Sequence, residues 1–180
     1  MTSFLEQYWS KGMPFSAFVG AAEKNANLWE SHSRRAVLHD DERIRAGDLP
    51  GKRRIIVLLE DWCGDAVRSV PTLAALADGS NQIDLVVVDT GKHPSALDGN
   101  LTKGSRAIPI AVVFDEAGER IGSWGPRPAP LQSILRARLR SEGSPDPERR
   151  AEFYEPIMEW YAEDRGRTVA QELLMLLERG

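Results

Sequence analysis

Trp62-Cys63-Gly64-Asp65-Ala66 holds the chain's only cysteine. The stretch follows the unbroken apolar run Ile55-Ile56-Val57-Leu58-Leu59 and precedes a segment that reads as a helix through about Leu76. A thiol at such a strand-to-helix junction faces the helix's unpaired N–H groups and positive dipole end, and both stabilise a thiolate. The chemistry open to Cys63 is attack on a disulfide; the bland alternative is an idle thiol buried like a small hydrophobe. Asp65 is favoured in the first helical turn by about 0.3–1 kcal/mol. As a like charge beside a developing thiolate it should also raise the thiol's pKa, and Glu60 and Asp61 add negative charge upstream. Read more simply, Asp65 starts the helix and does nothing else.

Other reactive constellations are weak. His32, His39 and His93 have no metal-ligand spacing with Cys63 or with one another and read as surface residues. His93 is the best placed of them for a Cys–His hydrolase. No Gly-rich phosphate loop is present, since Gly118, Gly122 and Gly125 fall in a hairpin region where turns explain them. The pairs Arg34-Arg35, Arg53-Arg54 and Arg149-Arg150 have acidic neighbours and read as solvated.

The elements that position the thiol follow from hydrophobic patterning. Residues 1–50 form an N-terminal helical extension: Phe4, Tyr8 and Trp9 mark one helix, and Phe15, Phe18, Val19, Ala22 and Trp29 a second, longer one through about Arg35. These aromatics read as a stripe packed on the core, with an exposed partner patch as the alternative. Asp40-Asp41-Glu42-Arg43 reads as a solvated helix turn. The run at 55–59 lacks alternation and suits a parallel strand buried on both faces. Val67, Val70, Leu73 and Leu76 mark a helix face, with Pro71 expected to kink it. Ile83 to Asp89 is a second buried strand, and Leu97 and Leu101 fit one short helix. Ile108 to Phe114 is a third strand, Asp115-Glu116-Ala117-Gly118 a hairpin turn, and Glu119 to Trp124 the return strand. Pro128 and Pro130 open a helix with Leu131, Ile134 and Leu135 inward. After a linker at 141–147, residues 148–180 carry amphipathic helices that pack on the rest of the chain or form a dimer interface.

Strand, helix, strand followed by strand, strand, helix, with a cysteine at the first junction and Ile108-Pro109 before the third strand, resembles the thioredoxin fold. Trp62-Cys63-Gly64 matches the start of the family's Trp-Cys-Gly-Pro-Cys motif, and Pro71 falls at its helix proline, eight residues past the cysteine. The resemblance covers about residues 53–140, within a single domain spanning 1–180. It implies an α/β thioredoxin fold with a central mixed sheet and extra N-terminal and C-terminal helices. It further implies a cis bond at Ile108-Pro109, with Pro109 orienting a bound substrate beside Cys63, and site-shaping positions at Trp62, Gly64, Asp65 and Ile108. Two departures matter. Ala66 stands where the family's resolving cysteine belongs, three residues after the first, and Val57 where it buries a proton-accepting acid, six residues before. Dithiol turnover needs both, so ordinary thioredoxin activity is not expected.

What the resemblance leaves is single-thiol exchange at Cys63 with an external resolving thiol, or a non-catalytic module binding a peptide or protein at a Trp62/Pro109 groove. No resident cofactor is expected; glutathione or another low-molecular-weight thiol would be a co-substrate. Expected partners are a protein or small-molecule disulfide or thiol, and a second copy in a homodimer. The 180 residues, 42% hydrophobic and 28% charged, suit one globular core. A net charge of −4 and a pI near 5.5 give no global attraction to nucleic acid or anionic membrane. The stretch Met1 to Gln7 does not read as a signal peptide, and no apolar window approaches the roughly 20 residues that span a bilayer. With one cysteine excluding an internal disulfide, a cytoplasmic location is expected.

Overall fold

The computed structural model describes residues 3–179, so of the N-terminal stretch read above Met1 and Thr2 lie outside it. Four short helices lead in: α1 (Phe4–Trp9), α2 (Phe15–Ala21), α3 (Ala26–Arg35) and α4 (Asp40–Gly47). Then come β1 (Arg53–Leu59), α5 (Gly64–Asp78), β2 (Ile83–Asp89), a 3₁₀ turn at Pro94–Leu97, β3 (Ile110–Phe114), β4 (Arg120–Trp124) and α6 (Ala129–Glu142). Two further helices, α7 (Arg150–Asp164) and α8 (Arg167–Leu177), complete the described chain. Among the described residues no helix is long and apolar enough to cross a membrane.

The sheet order is β2-β1-β3-β4, with β1 parallel to β2 and antiparallel to β3, and β3 antiparallel to β4. This is the mixed α/β sheet of a thioredoxin fold with added helices. β1 is central, which is why its apolar run lacks alternation: Ile55 to Leu59 are covered on both faces. Val57 pairs with Val87 on one side and Ala111 on the other. One face of the sheet packs on α3, α5 and α8, and the other on α1 and the 3₁₀ turn through Leu5, Tyr8 and Leu97. A satellite cluster joins α6 to α7 through Leu131, Leu135, Phe153 and Ile157. α8 lies in the main core, with Val169, Leu173 and Leu177 fully buried, so its amphipathic face is spent within the chain.

Several expectations are corrected by tertiary contacts. The long helix through Arg35 is two helices, broken at 22–25, where Asn25 takes a left-handed conformation (φ 55°). That turn sends the Glu23 and Lys24 N–H groups to the Asp61 carboxylate, at 2.9 and 2.8 Å, contacts a continuous helix could not make. Asp40 to Arg43 is not a solvated turn: Glu42 is buried and accepts from Arg167 at 2.7 Å, tying α4 to α8. Nor is Arg53 solvated; it is buried and donates to the Leu177 carbonyl at 2.8 Å. Ile134 is 39% exposed: the seam between α6 and α7 is built on Leu131 and Leu135, and Ile134 is not part of that cluster. The turn at 94–97 ends before Leu101, which is 46% exposed. As expected, α5 is one helix with Pro71 inside it, and the proline leaves the Val67 carbonyl without its helical donor.

Candidate functional site

Cys63 is the N-cap of α5, with extended backbone (φ −75°, ψ 112°). The strand before it is pinned in the core, and the loop Glu60 to Trp62 is held from several directions. The Trp29 indole N–H donates to the Asp61 carbonyl at 2.9 Å, and the Asn25 amide donates to the Asp61 and Trp62 carbonyls at 3.3 and 3.1 Å. Glu60 accepts from the Trp62 indole at 2.6 Å and from the Thr90 hydroxyl at 2.9 Å. The helical extension thus clamps the loop that presents the thiol. Trp62 is 57% exposed, while Cys63 is only 5% exposed.

At the entry to β3, the strand beside β1, the Ile108–Pro109 peptide is cis and Pro109 is buried. The Cys63 thiol donates to the Ile108 carbonyl oxygen at 3.5 Å, so the thiol of α5 and the segment entering β3 are in contact. Behind them Gly125 has φ 119°, and a Cβ there would overlap the Pro109 carbonyl oxygen. We expect Gly125→Ala to cost about 1–3 kcal/mol through backbone strain and displacement of the Pro109 segment. A thermal melt checks it, since each kcal/mol lowers Tm by roughly 2–4 °C in a chain of this size.

Asp65 makes the contacts that local sequence does not show. Its Oδ2 lies 2.6 Å from Arg127 Nη2, with the two side chains 12% and 20% exposed. Its Oδ1 accepts from the Tyr161 hydroxyl at 2.9 Å. Burial, then the Asp65 charge, holds the Tyr161 hydroxyl well above its ordinary pKa, so it stays a donor. Arg127 comes from the segment before α6, and Tyr161 from α7, one of the amphipathic helices expected after the linker. No signal in the sequence pairs either with Asp65.

The Cys63 thiol is pushed up from its ordinary pKa. Burial is the largest cause; the Ala66 N–H opposes it, the Asp65 charge adds to it, and the Asp65 N–H and Arg127 guanidinium oppose. The sequence reading assigned this rise to Asp65, whereas desolvation outranks it and Arg127 offsets the carboxylate. At Gly64 a Cβ would stand in ordinary contact with the Arg68 guanidinium, at 3.4 Å. Ala66, buried against β1's end of the core, offers no second thiol. His32 and His93 are half-buried and His39 is exposed at the start of α4. Among the described residues no group of three or more His, Cys, Asp or Glu side chains could hold a metal ion.

The sequence profile of the thioredoxin family matches residues 12–141. The chain belongs to the thioredoxin family. The matched region reaches back through α2–α4, which the motifs alone do not cover, so the helices that clamp the Asp61 loop lie inside it. Among solved structures, a protein of unknown function from Pseudomonas aeruginosa is similar at 19% identity and TM-score 0.72, over 99% of this chain and 98% of that one. An HIV epitope-scaffold is similar at 18% identity and TM-score 0.72, over 97% of each chain. Likeness at these identities shows the fold alone, α7 and α8 included. No curated protein matches the chain.

Proposed function

We propose that this thioredoxin-family protein carries out single-thiol thiol–disulfide exchange through Cys63, with an external thiol as the resolving partner. The observation that carries the reading is the sulfur's position: it caps α5, in reach of the Asp65 and Ala66 N–H groups, and contacts the carbonyl preceding Pro109. In the first step the Cys63 thiol gives its proton to solvent, and the thiolate attacks one sulfur of a disulfide R–S–S–R′. The Cys63–S–S–R bond forms as the S–S bond breaks, and R′S⁻ leaves to be protonated. In the second step an external thiolate attacks the R sulfur, releasing Cys63 and forming a new disulfide. Glutathione or another low-molecular-weight thiol suits that role. Trp62, Gly64, Asp65, Ile108 and Pro109 would shape the surface on which R lies.

A second reading, a binding module that recognises a peptide or protein beside Trp62 and Pro109, draws on the low exposure of Cys63 and the openness of Trp62. Oxidised glutathione separates the two. Exchange predicts one glutathione per native chain by intact mass and none on Cys63→Ser; a native chain that stays unmodified while its unfolded form reacts supports the binding module.

The pH dependence has a definite sign. Because the thiol's pKa is raised, its thiolate fraction is small at neutrality and grows as pH rises through and beyond the ordinary cysteine value of about 8.5. Adduct formation should therefore accelerate steadily from pH 6 to pH 9, about tenfold per unit of pH while the thiol form predominates. A rate that levels off below pH 7 would contradict it. Stability runs the other way. A raised folded-state pKa contributes stability that is fully present below about 8.5 and is lost as pH rises through the folded value.

A further inference from the structure

On the flank of α5 away from the sheet, a cavity of about 490 Å³ is lined by His32, Arg35, Arg68, Tyr161 and Arg165 among others, and no carboxylate lines it. In a chain of net charge −4 this concentrates cationic groups from three elements: α3, α5 and the end of α7. Among the described residues Arg35, Arg68 and Arg165 make no ion pair, although the chain forms ten others. Arg35 donates only to Ser31 and Arg68 to the Gly64 carbonyl at 2.9 Å, which leaves most of their donors unassigned. Like charges gathered without counter-charge cost stability, and an oxyanion with paired acceptors is what guanidinium forks complement. The volume lies within the range of small-molecule sites.

We propose that this cavity is a binding site for a small molecule bearing a phosphate or carboxylate group, which Arg35, Arg68 and Arg165 would hold with His32. His32 supports the reading. Its pKa is lowered, first by burial and then by the charges of Arg68 and Arg35, so both guanidinium groups bear on the imidazole. The titratable groups that line the cavity with it are Arg35 from its own helix, Arg68 from α5, Tyr161 from α7 and Arg165 just past its end. A bound anion reverses that balance, and His32 takes up a proton on binding. The cavity also adjoins the thiol: Arg68 donates to the residue after Cys63, and Tyr161 to Asp65. The site stands whether or not Cys63 reacts.

Titration of the full chain with inorganic phosphate and, separately, reduced glutathione tests it, with sodium chloride at matched ionic strength as the baseline. We expect saturable binding of at least one of the two with Kd below about 1 mM, shifting the His32 ring resonances and, for glutathione, tightening as the pH falls below the ordinary histidine value of about 6.5. Preference for phosphate marks a phosphorylated ligand, and preference for glutathione a carboxylate one. Arg68→Gln and Arg35→Gln should each weaken binding at least tenfold. Arg34→Gln, at an exposed arginine paired with Glu30 on the same helix, should leave it unchanged. Arg35 sits at the exposed end of α3, so its variant reads the site even if Arg68→Gln fails to fold. Absence of saturation by either anion, or binding to a folded Arg35→Gln within twofold of the parent, overturns the proposal.

Discussion

Trp29→Ala should destabilise the protein by about 4 kcal/mol, the middle of the range for truncating a buried tryptophan. The indole is fully buried, with Phe18 edge-on at 5.2 Å and Phe15 at 6.1 Å. Its N–H donates to the Asp61 carbonyl, so the same truncation frees the loop that presents Cys63. Trp29→Phe divides the two roles. It keeps most of the packing and loses the hydrogen bond, which costs about 1 kcal/mol, since Asn25 still donates to the same carbonyl. Urea unfolding measures both losses, and amide exchange at Glu23 and Lys24 reports the loop clamp. If Trp29→Ala loses less than the phenylalanine variant, or leaves the two amides as protected as before, the indole does not hold the site.

The second large effect concerns the charge pair beside the sulfur. Asp65→Asn removes the carboxylate that raises the Cys63 pKa and leaves the Arg127 guanidinium uncompensated, which lowers it. Alkylation of Cys63 at pH 7 should therefore speed up severalfold. Arg127→Gln works in the opposite sense and should slow it. Arg127→Gln should also destabilise the fold by about 2 kcal/mol, below the roughly 3–5 kcal/mol of a fully buried pair, because the side chains keep some solvent and Tyr161 still supports Asp65. The double variant should react at a rate between the two single ones. An Asp65→Asn protein whose thiol reacts more slowly than the parent would show that the carboxylate aids the thiolate rather than opposing it.

Much of the framework could be read from local pattern. The apolar runs at 55–59 and 85–88, the helix between them and the hairpin around Gly118 each announce themselves within a few residues. The position of Cys63 before a helix was legible for the same reason, whereas the cis bond at Ile108-Pro109 was expected only from the resemblance to the thioredoxin fold. What could not be read depends on contacts distant in sequence. Asp65 meets Tyr161 across 96 positions, and Glu42 meets Arg167 across 125. The amphipathic spacing of α7 places Tyr161 inward but says nothing of where its hydroxyl goes. The break at 22–25 has the same origin, because helix periodicity through Ala22 and Trp29 carries no trace of the Asp61 carboxylate that the turn serves. Desolvation of Cys63, the largest influence on its acidity, is likewise a property of the assembled core.

The most direct measurement is glutathione-dependent reduction of bis(2-hydroxyethyl) disulfide, followed by glutathione oxidation with the Cys63→Ser variant alongside. Single-thiol exchange predicts turnover proportional to protein, a mixed disulfide at Cys63 trapped by acid quench when glutathione is withheld, and its discharge when glutathione is added. Turnover no faster with the parent protein than with Cys63→Ser, or a mixed disulfide that glutathione does not discharge, would contradict the assignment.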